Sequence, residues 1–205
     1  MKNKKVLIIS AIVLLIIVVL GVWFYFDRSN GLNLGKDDKN SEMEQQGSSQ
    51  NNMLVKENFS IILPQGWMEG NAIEGVSALA YNVNENITDA AAKAANFTSY
   101  LSIASDVSQG RSIAEYVEYT KSALRGVIPE INFVGDKDLT IDNRPAHAIE
   151  AELAQEGIDF KILLVMIQGE GDKIWITSFN TLKSTWNDYK DAFYQAANTF
   201  KVKIN

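Results

Sequence analysis

The chain contains one histidine, His147, and no cysteine. Cysteine nucleophiles, thiolate metal sites and disulfides are thereby excluded, and one imidazole must carry any histidine chemistry. Glu150 and Glu152 follow it closely, which raises a general base or a metal ligand. In an extended strand, however, residues an odd number apart point to opposite faces, so His147 and Glu150 do not converge. His147 shares its parity with Ala151 and Leu153, the setting of a packed or edge histidine. Asp136, Asp138 and Asp142 have oxygen ligands to offer, but the stretch lacks the glycine and distal glutamate of a calcium loop. Asp136 and Asp138 read instead as residues that solvate a loop and a hairpin edge. Gly169-Glu170-Gly171-Asp172 has no lysine and follows an apolar strand, so it reads as a hairpin turn and not as a phosphate cradle. No serine occupies a nucleophile elbow; Gly110-Arg111-Ser112 leads into a helix. The residues supply no catalytic and no metal-binding set, and no cofactor is implied.

Aromatic side chains are the remaining resource. Trp186, Tyr189 and Phe193 fall on one helical stripe and read as core. Tyr116 and Tyr119 lie off the Ile113, Val117, Leu124 stripe of an earlier helix, which makes them the candidates for exposed, partner-binding contacts.

The elements that would position these residues are legible in outline. Phe59, Ile61 and Leu63 alternate in a strand over residues 55–63, ended by Pro64 and Gly66, with Trp67 as a core anchor. Residues 76–83 form a short apolar run, residues 86–95 a short helix or a loop, and residues 97–107 alternate again. Ser112 with Glu115 three residues on has the form of a capping box, and Ile113, Val117, Thr120 and Leu124 recur at helical spacing. Strand patterns follow at 131–134, 138–141, 144–153, 158–167 and 173–179, with polar breaks too short for crossover helices. They predict an antiparallel meander. An amphipathic helix over 182–199 closes the chain, its apolar face Leu182, Trp186, Tyr189, Phe193, Ala196 and Ala197.

The first residues differ from all of this. Lys2, Lys4 and Lys5 precede a run from 6 to 26 that carries no charge, 21 residues whose one clearly polar side chain is Ser10. As a helix it would span about 30 Å, a bilayer hydrocarbon core. A cleaved secretory signal is the rival reading, but such signals have apolar cores of roughly 7–15 residues and a small-residue cleavage site, neither of which is present. The expectation is a transmembrane signal-anchor with residues 1–5 cytoplasmic, because the lysines lie before the helix. Residues 27–53, rich in Asn, Gln, Ser and Gly, read as a flexible linker. Residues 54–205 read as one extracytoplasmic domain. That domain has 13 lysines and arginines against 20 aspartates and glutamates. Its acidic balance of about −7 argues against nucleic acid, whose phosphates demand a basic footprint.

Three pieces carry a family resemblance: the strand Phe59-Ser60-Ile61-Ile62-Leu63-Pro64-Gln65-Gly66-Trp67, the helix start Ser112-Ile113-Ala114-Glu115-Tyr116, and the strand Pro145-Ala146-His147-Ala148-Ile149-Glu150-Ala151. In this order, with the late strands and final helix, they resemble the PsbP family, named for an extrinsic photosystem II subunit, and its exported bacterial relatives. The resemblance implies an α+β fold, an α/β/α sandwich around a central antiparallel sheet, here preceded by a single transmembrane helix. It also implies a protein that is not an enzyme. Photosystem binding and its calcium-retaining role are not carried over, since the expected anchor departs from the photosynthetic members, and no residue-by-residue match transfers a partner-binding site. The expected function is a membrane-anchored binding or accessory module, held in the bilayer through residues 6–26 and meeting an envelope protein. A small-molecule or cation-binding domain, and after it a carboxylate-based hydrolase, are the alternatives.

Overall fold

The first apolar stretch folds as a hairpin and not as one strand. In the computed structural model, which describes residues 52–73 and 75–203, β1 (Met53–Val55) and β2 (Phe59–Ile62) run antiparallel. The Lys56 amide closes the turn by donating to the Phe59 carbonyl at 2.9 Å. Pro64 then removes a ladder donor and Gly66 takes φ 80°, which ends the strand and turns Trp67 inward to 2% exposure. β3 (Trp67–Gly70), a strand the residue pattern does not announce, pairs with β4 (Ala78–Asn82). The stretch left open between helix and loop contains α1 (Ala90–Ala94), capped by Asp89, whose carboxylate accepts the Ala92 amide at 2.8 Å. After β5 (Tyr100–Val107) comes α2 (Ile113–Val127), and both halves of its capping box form. Glu115 donates its amide to Ser112 Oγ at 3.3 Å, and its carboxylate accepts the Ser112 amide at 2.8 Å.

The two strand patterns at 131–134 and 138–141 are one strand, β6 (Asn132–Ile141), interrupted by a register shift between Phe133 and Gly135. It leads into β7 (Arg144–Gln155), β8 (Ile158–Gln168) and β9 (Lys173–Leu182). Asp142 and Asn143, then Glu156 and Gly157, all have φ between 51° and 80°. Paired left-handed residues are what a two-residue hairpin needs to match strand twist, so these turns set the register of the meander. A 3₁₀ turn (Lys183–Thr185), α3 (Trp186–Asn198) and β10 (Lys201–Val202) complete the chain.

Seven antiparallel strands form the main sheet in the order β3-β4-β5-β9-β8-β7-β6, and β1-β2-β10 form a small second sheet. One face of the main sheet packs against α3 and the small sheet around Trp67, Trp175, Phe179 and Phe193. The other packs against α2 and α1 around Tyr116, Leu124, Ile149 and Leu164. This is the expected α/β/α sandwich with a central antiparallel sheet. Leu182, expected on the final helix stripe, belongs to the α2-side core, because it ends β9 before the chain turns.

The transmembrane part of the expected fold is corrected. Among the described residues no helix is long and apolar enough to cross a membrane. The longest, α2, has 15 residues, about 22 Å against a hydrocarbon core of about 30 Å, and carries Glu115, Glu118, Lys121 and Arg125. Residues 6–26 lie outside the described residues, as does the expected linker at 27–53 except for Asn52 and Met53. The fold of the described residues is an α+β sandwich around a central antiparallel sheet. The bilayer contact, the single-pass topology and the membrane-anchored function that rested on such a helix are withdrawn with it.

Candidate functional site

The capping box fixes where α2 starts and therefore which way its tyrosines face. Tyr116 is fully buried, and its hydroxyl donates to Asp106 Oδ2 at 2.7 Å. It is a core post tying α2 to β5, not the exposed contact expected of it. Tyr119, 6.2 Å away ring to ring, is half-buried and lies under the Arg111 guanidinium, 4.5 Å from its ring centroid. The structure therefore keeps one of the two candidates at the surface.

His147 and Glu150 do point to opposite faces, and each is the centre of a charge network. On the α2 side, His147 Nδ1 is 2.7 Å from Asp138 and its Nε2 hydrogen-bonds Asp136. Asp136 is also paired with Lys121, whose ammonium donates to Glu118 at 2.9 Å. Burial opposes the charge on both Asp136 and Lys121. Their mutual hydrogen bond, with His147 and Glu118, outweighs it, lowering the Asp136 carboxyl and raising the Lys121 ammonium. On the α3 side, Glu150 takes Lys161 at 3.2 Å, Lys190 at 3.5 Å and the Tyr194 hydroxyl at 3.0 Å. Burial first, and then the Glu150 carboxylate, push the Tyr194 hydroxyl up. Glu152 is held by Lys183 at 2.7 Å and Lys161 at 3.7 Å. These acids are consumed by lysines and do not face one another across a cleft. Among the described residues no group of three or more acids and histidine is placed to hold a metal ion.

A third polar cluster ties the β4–β5 connection down. Glu85 accepts the Ser99 amide at 2.5 Å and the Ser99 hydroxyl at 2.8 Å, and Ser99 meets Thr181 at 2.7 Å. Ser99 is fully buried, so this hydroxyl–carboxylate pair has no access to a substrate. Asn82 Nδ2 donates to the Tyr189 hydroxyl at 2.9 Å, which burial and the Glu85 charge push up to about 12. Two clefts, about 230 Å³ beside Val127 and Leu153 and about 290 Å³ beside Asp89 and Lys183, fall below the range of roughly 300–1,000 Å³ usual for small-molecule sites.

What stands out is a sheet face that neither core uses. Ala78 and Ala80 of β4 belong to the α3-side core, so Leu79 and Tyr81 point to the other face. There they join neither that core nor the residues packed on it. Met68, opposite Tyr81 in register, is 57% exposed, and Val83 is 46% exposed. Gly70 makes the surface flat: a Cβ there would fall 2.4 Å from Tyr81 Cε1. Under the inner edge of this patch, the Tyr100 hydroxyl and Ser102 Oγ are buried without a hydrogen-bond partner, and burial drives the tyrosine hydroxyl upward. The adjacent sheet edge is partly covered and charged, since Asn52 Nδ2 donates to the Trp67 carbonyl at 2.6 Å and Lys56 pairs with Glu69. Nothing in the residue pattern announces β3, so this face was not foreseen.

The sequence profile of the PsbP-like protein family matches residues 6–202. The chain belongs to the PsbP-like family. Membership accords with a non-enzymatic protein. The PsbP-like fold is shared with the cyanobacterial PsbP of Synechocystis, at TM-score 0.57 and 12% identity over 80% of this chain and 98% of that one. It is similar to LpqN of Mycobacterium tuberculosis, at 0.56 and 9% over 73% and 87% of the two chains. It is similar also to the yeast Ran-binding protein Mog1p, at 0.54 and 10% over 76% and 96%. At these identities the likeness shows the fold alone. No curated protein matches the sequence.

Proposed function

We propose that this PsbP-like chain is a noncatalytic accessory module that binds a protein partner through the outer face of β3 and β4. The observation that carries the reading is the patch of Met68, Leu79, Tyr81 and Val83, apolar side chains that lie outside both cores. Contiguous exposed apolar surface with an aromatic centre is the usual composition of a protein contact. Two proteins of similar fold lie in the same direction: Mog1p is a Ran-binding protein, and LpqN is involved in cell envelope biogenesis. The charged, partly covered sheet edge favours docking onto the face over addition of a strand.

A photo-crosslinking residue placed at Met68 or Val83 tests this in the native cell. One discrete adduct of the same partner from both positions is expected, with none from Val107 or Val134, which are comparably exposed elsewhere. Adducts of equal yield from all four positions, or none from Met68 and Val83, would overturn the assignment.

A further inference from the structure

His147 is 9% exposed, and both of its ring nitrogens lie against carboxylate oxygens. A neutral imidazole has one N–H and can donate to one of them; the imidazolium has two and can donate to both. The two acceptors, Asp136 and Asp138, come from β6, the last strand of the main sheet on that side. They are not equivalent. Asp136 is also held by Lys121 of α2, whereas Asp138, with a side chain 93% exposed, meets His147.

We propose that His147 is a proton-dependent latch on the β6 edge. As imidazolium it bridges Asp136 and Asp138 and pins the middle of β6 to β7. When the proton leaves, one ring nitrogen presents a lone pair to a carboxylate, and that side of the bridge is lost. Loss of the proton also leaves the groups around the ring with more uncompensated negative charge. From α2, Lys121 and Glu118 face the site; from β6, Asp136 and Asp138; from β8, the register partner is the uncharged Met166. With His147 charged the five groups sum to about −1, and with it neutral to about −2, in a domain that is already acidic. The Lys121 bond retains Asp136, so Asp138 is the carboxylate that goes free. β6 then loosens at its centre, close to the register shift at Gly135. The order of the edge strand of the main sheet therefore changes with pH.

Because His147 is the sole histidine, one imidazole Cε1–H resonance reports its titration without assignment ambiguity. Amide hydrogen exchange followed across the same pH range reads the strand. After correction for intrinsic exchange, β6 protection is expected to fall about fivefold as the resonance moves from its charged to its neutral limit, the size of one lost hydrogen bond. β8 amides are expected to hold constant. His147→Gln should remove the step, and Asp138→Asn, at an exposed position that leaves folding intact, should reduce it. A wild-type β6 whose protection does not follow the imidazole titration, or a step that persists in His147→Gln, would overturn the latch.

Discussion

At the scale of single residues, the surprise is how much charge the sandwich holds between its layers. Lys121 has a side chain 11% exposed, yet it sits on the inner face of α2 between Glu118 and Asp136. The two acids are 71% and 47% exposed, so solvent screens the cluster and the contribution is modest, about 1 kcal/mol. Its pH dependence has a defined sign. The Lys121 value is raised by folding, so its contribution is complete below the ordinary lysine range and disappears as pH rises through the folded value. The Asp136 value is lowered, so its contribution is complete above the ordinary aspartate range and disappears as pH falls through the folded value. Urea denaturation of Lys121→Met against the wild type should show a difference that is flat between these limits and shrinks beyond both. A difference that grows toward acid would contradict the pairing. The parity argument for His147 and Glu150 was readable from sequence because alternation is local. The partnership of His147 with Asp136 and Asp138 was not, because the bulge after Phe133 shifts the register and hides that both aspartates ride one strand with β7 alongside.

At the scale of elements, local signals and long-range pairing had different fates. The capping box at Ser112 is written in adjacent residues and forms as read; the short polar breaks between the late strands close as turns with left-handed residues, a geometry the residue pattern did not specify. Tyr116 was misplaced because the α2 stripe was drawn too narrowly. A helix on a sheet buries three to four positions per two turns, and Tyr116 belongs with Ile113, Val117 and Thr120. β3 has four residues, of which Trp67 is buried, too short for a period-two pattern to emerge. The cap offers a direct test at this scale. Ser112→Ala removes the acceptor for the Glu115 amide and the partner of its carboxylate, and should cost about 1 kcal/mol. The loss should appear as faster exchange confined to the first turn of α2 in addition to a lower denaturation midpoint. A midpoint shift with no local change would point to some other role for Ser112.

At the scale of the whole molecule, the layer architecture followed from two one-sided helices and a meander. The small sheet did not, since β10 has two residues and its partner Ser60 lies far back in the chain. The assembled sandwich separates two kinds of apolar residue that look alike in sequence. Phe193 is fully buried, stacked 5.1 Å from Phe179 and 5.5 Å from Tyr189, with Trp67 edge-on at 5.7 Å. Met68 faces outward from the same region of the sheet. Phe193→Ala should therefore cost about 3–5 kcal/mol, transfer plus the cavity left behind. Met68→Ser, which opens no cavity, should stay within about 0.5 kcal/mol. If the outer face of β3 and β4 is the docking surface, the costs in binding are reversed in order. Met68→Ser should abolish the adduct from a crosslinker at Val83 while the denaturation curve stays put. Phe193→Ala, assayed at a temperature where it remains folded, should leave that adduct intact. Loss of the adduct in both variants, or in neither, would show that the face does not act independently of the core.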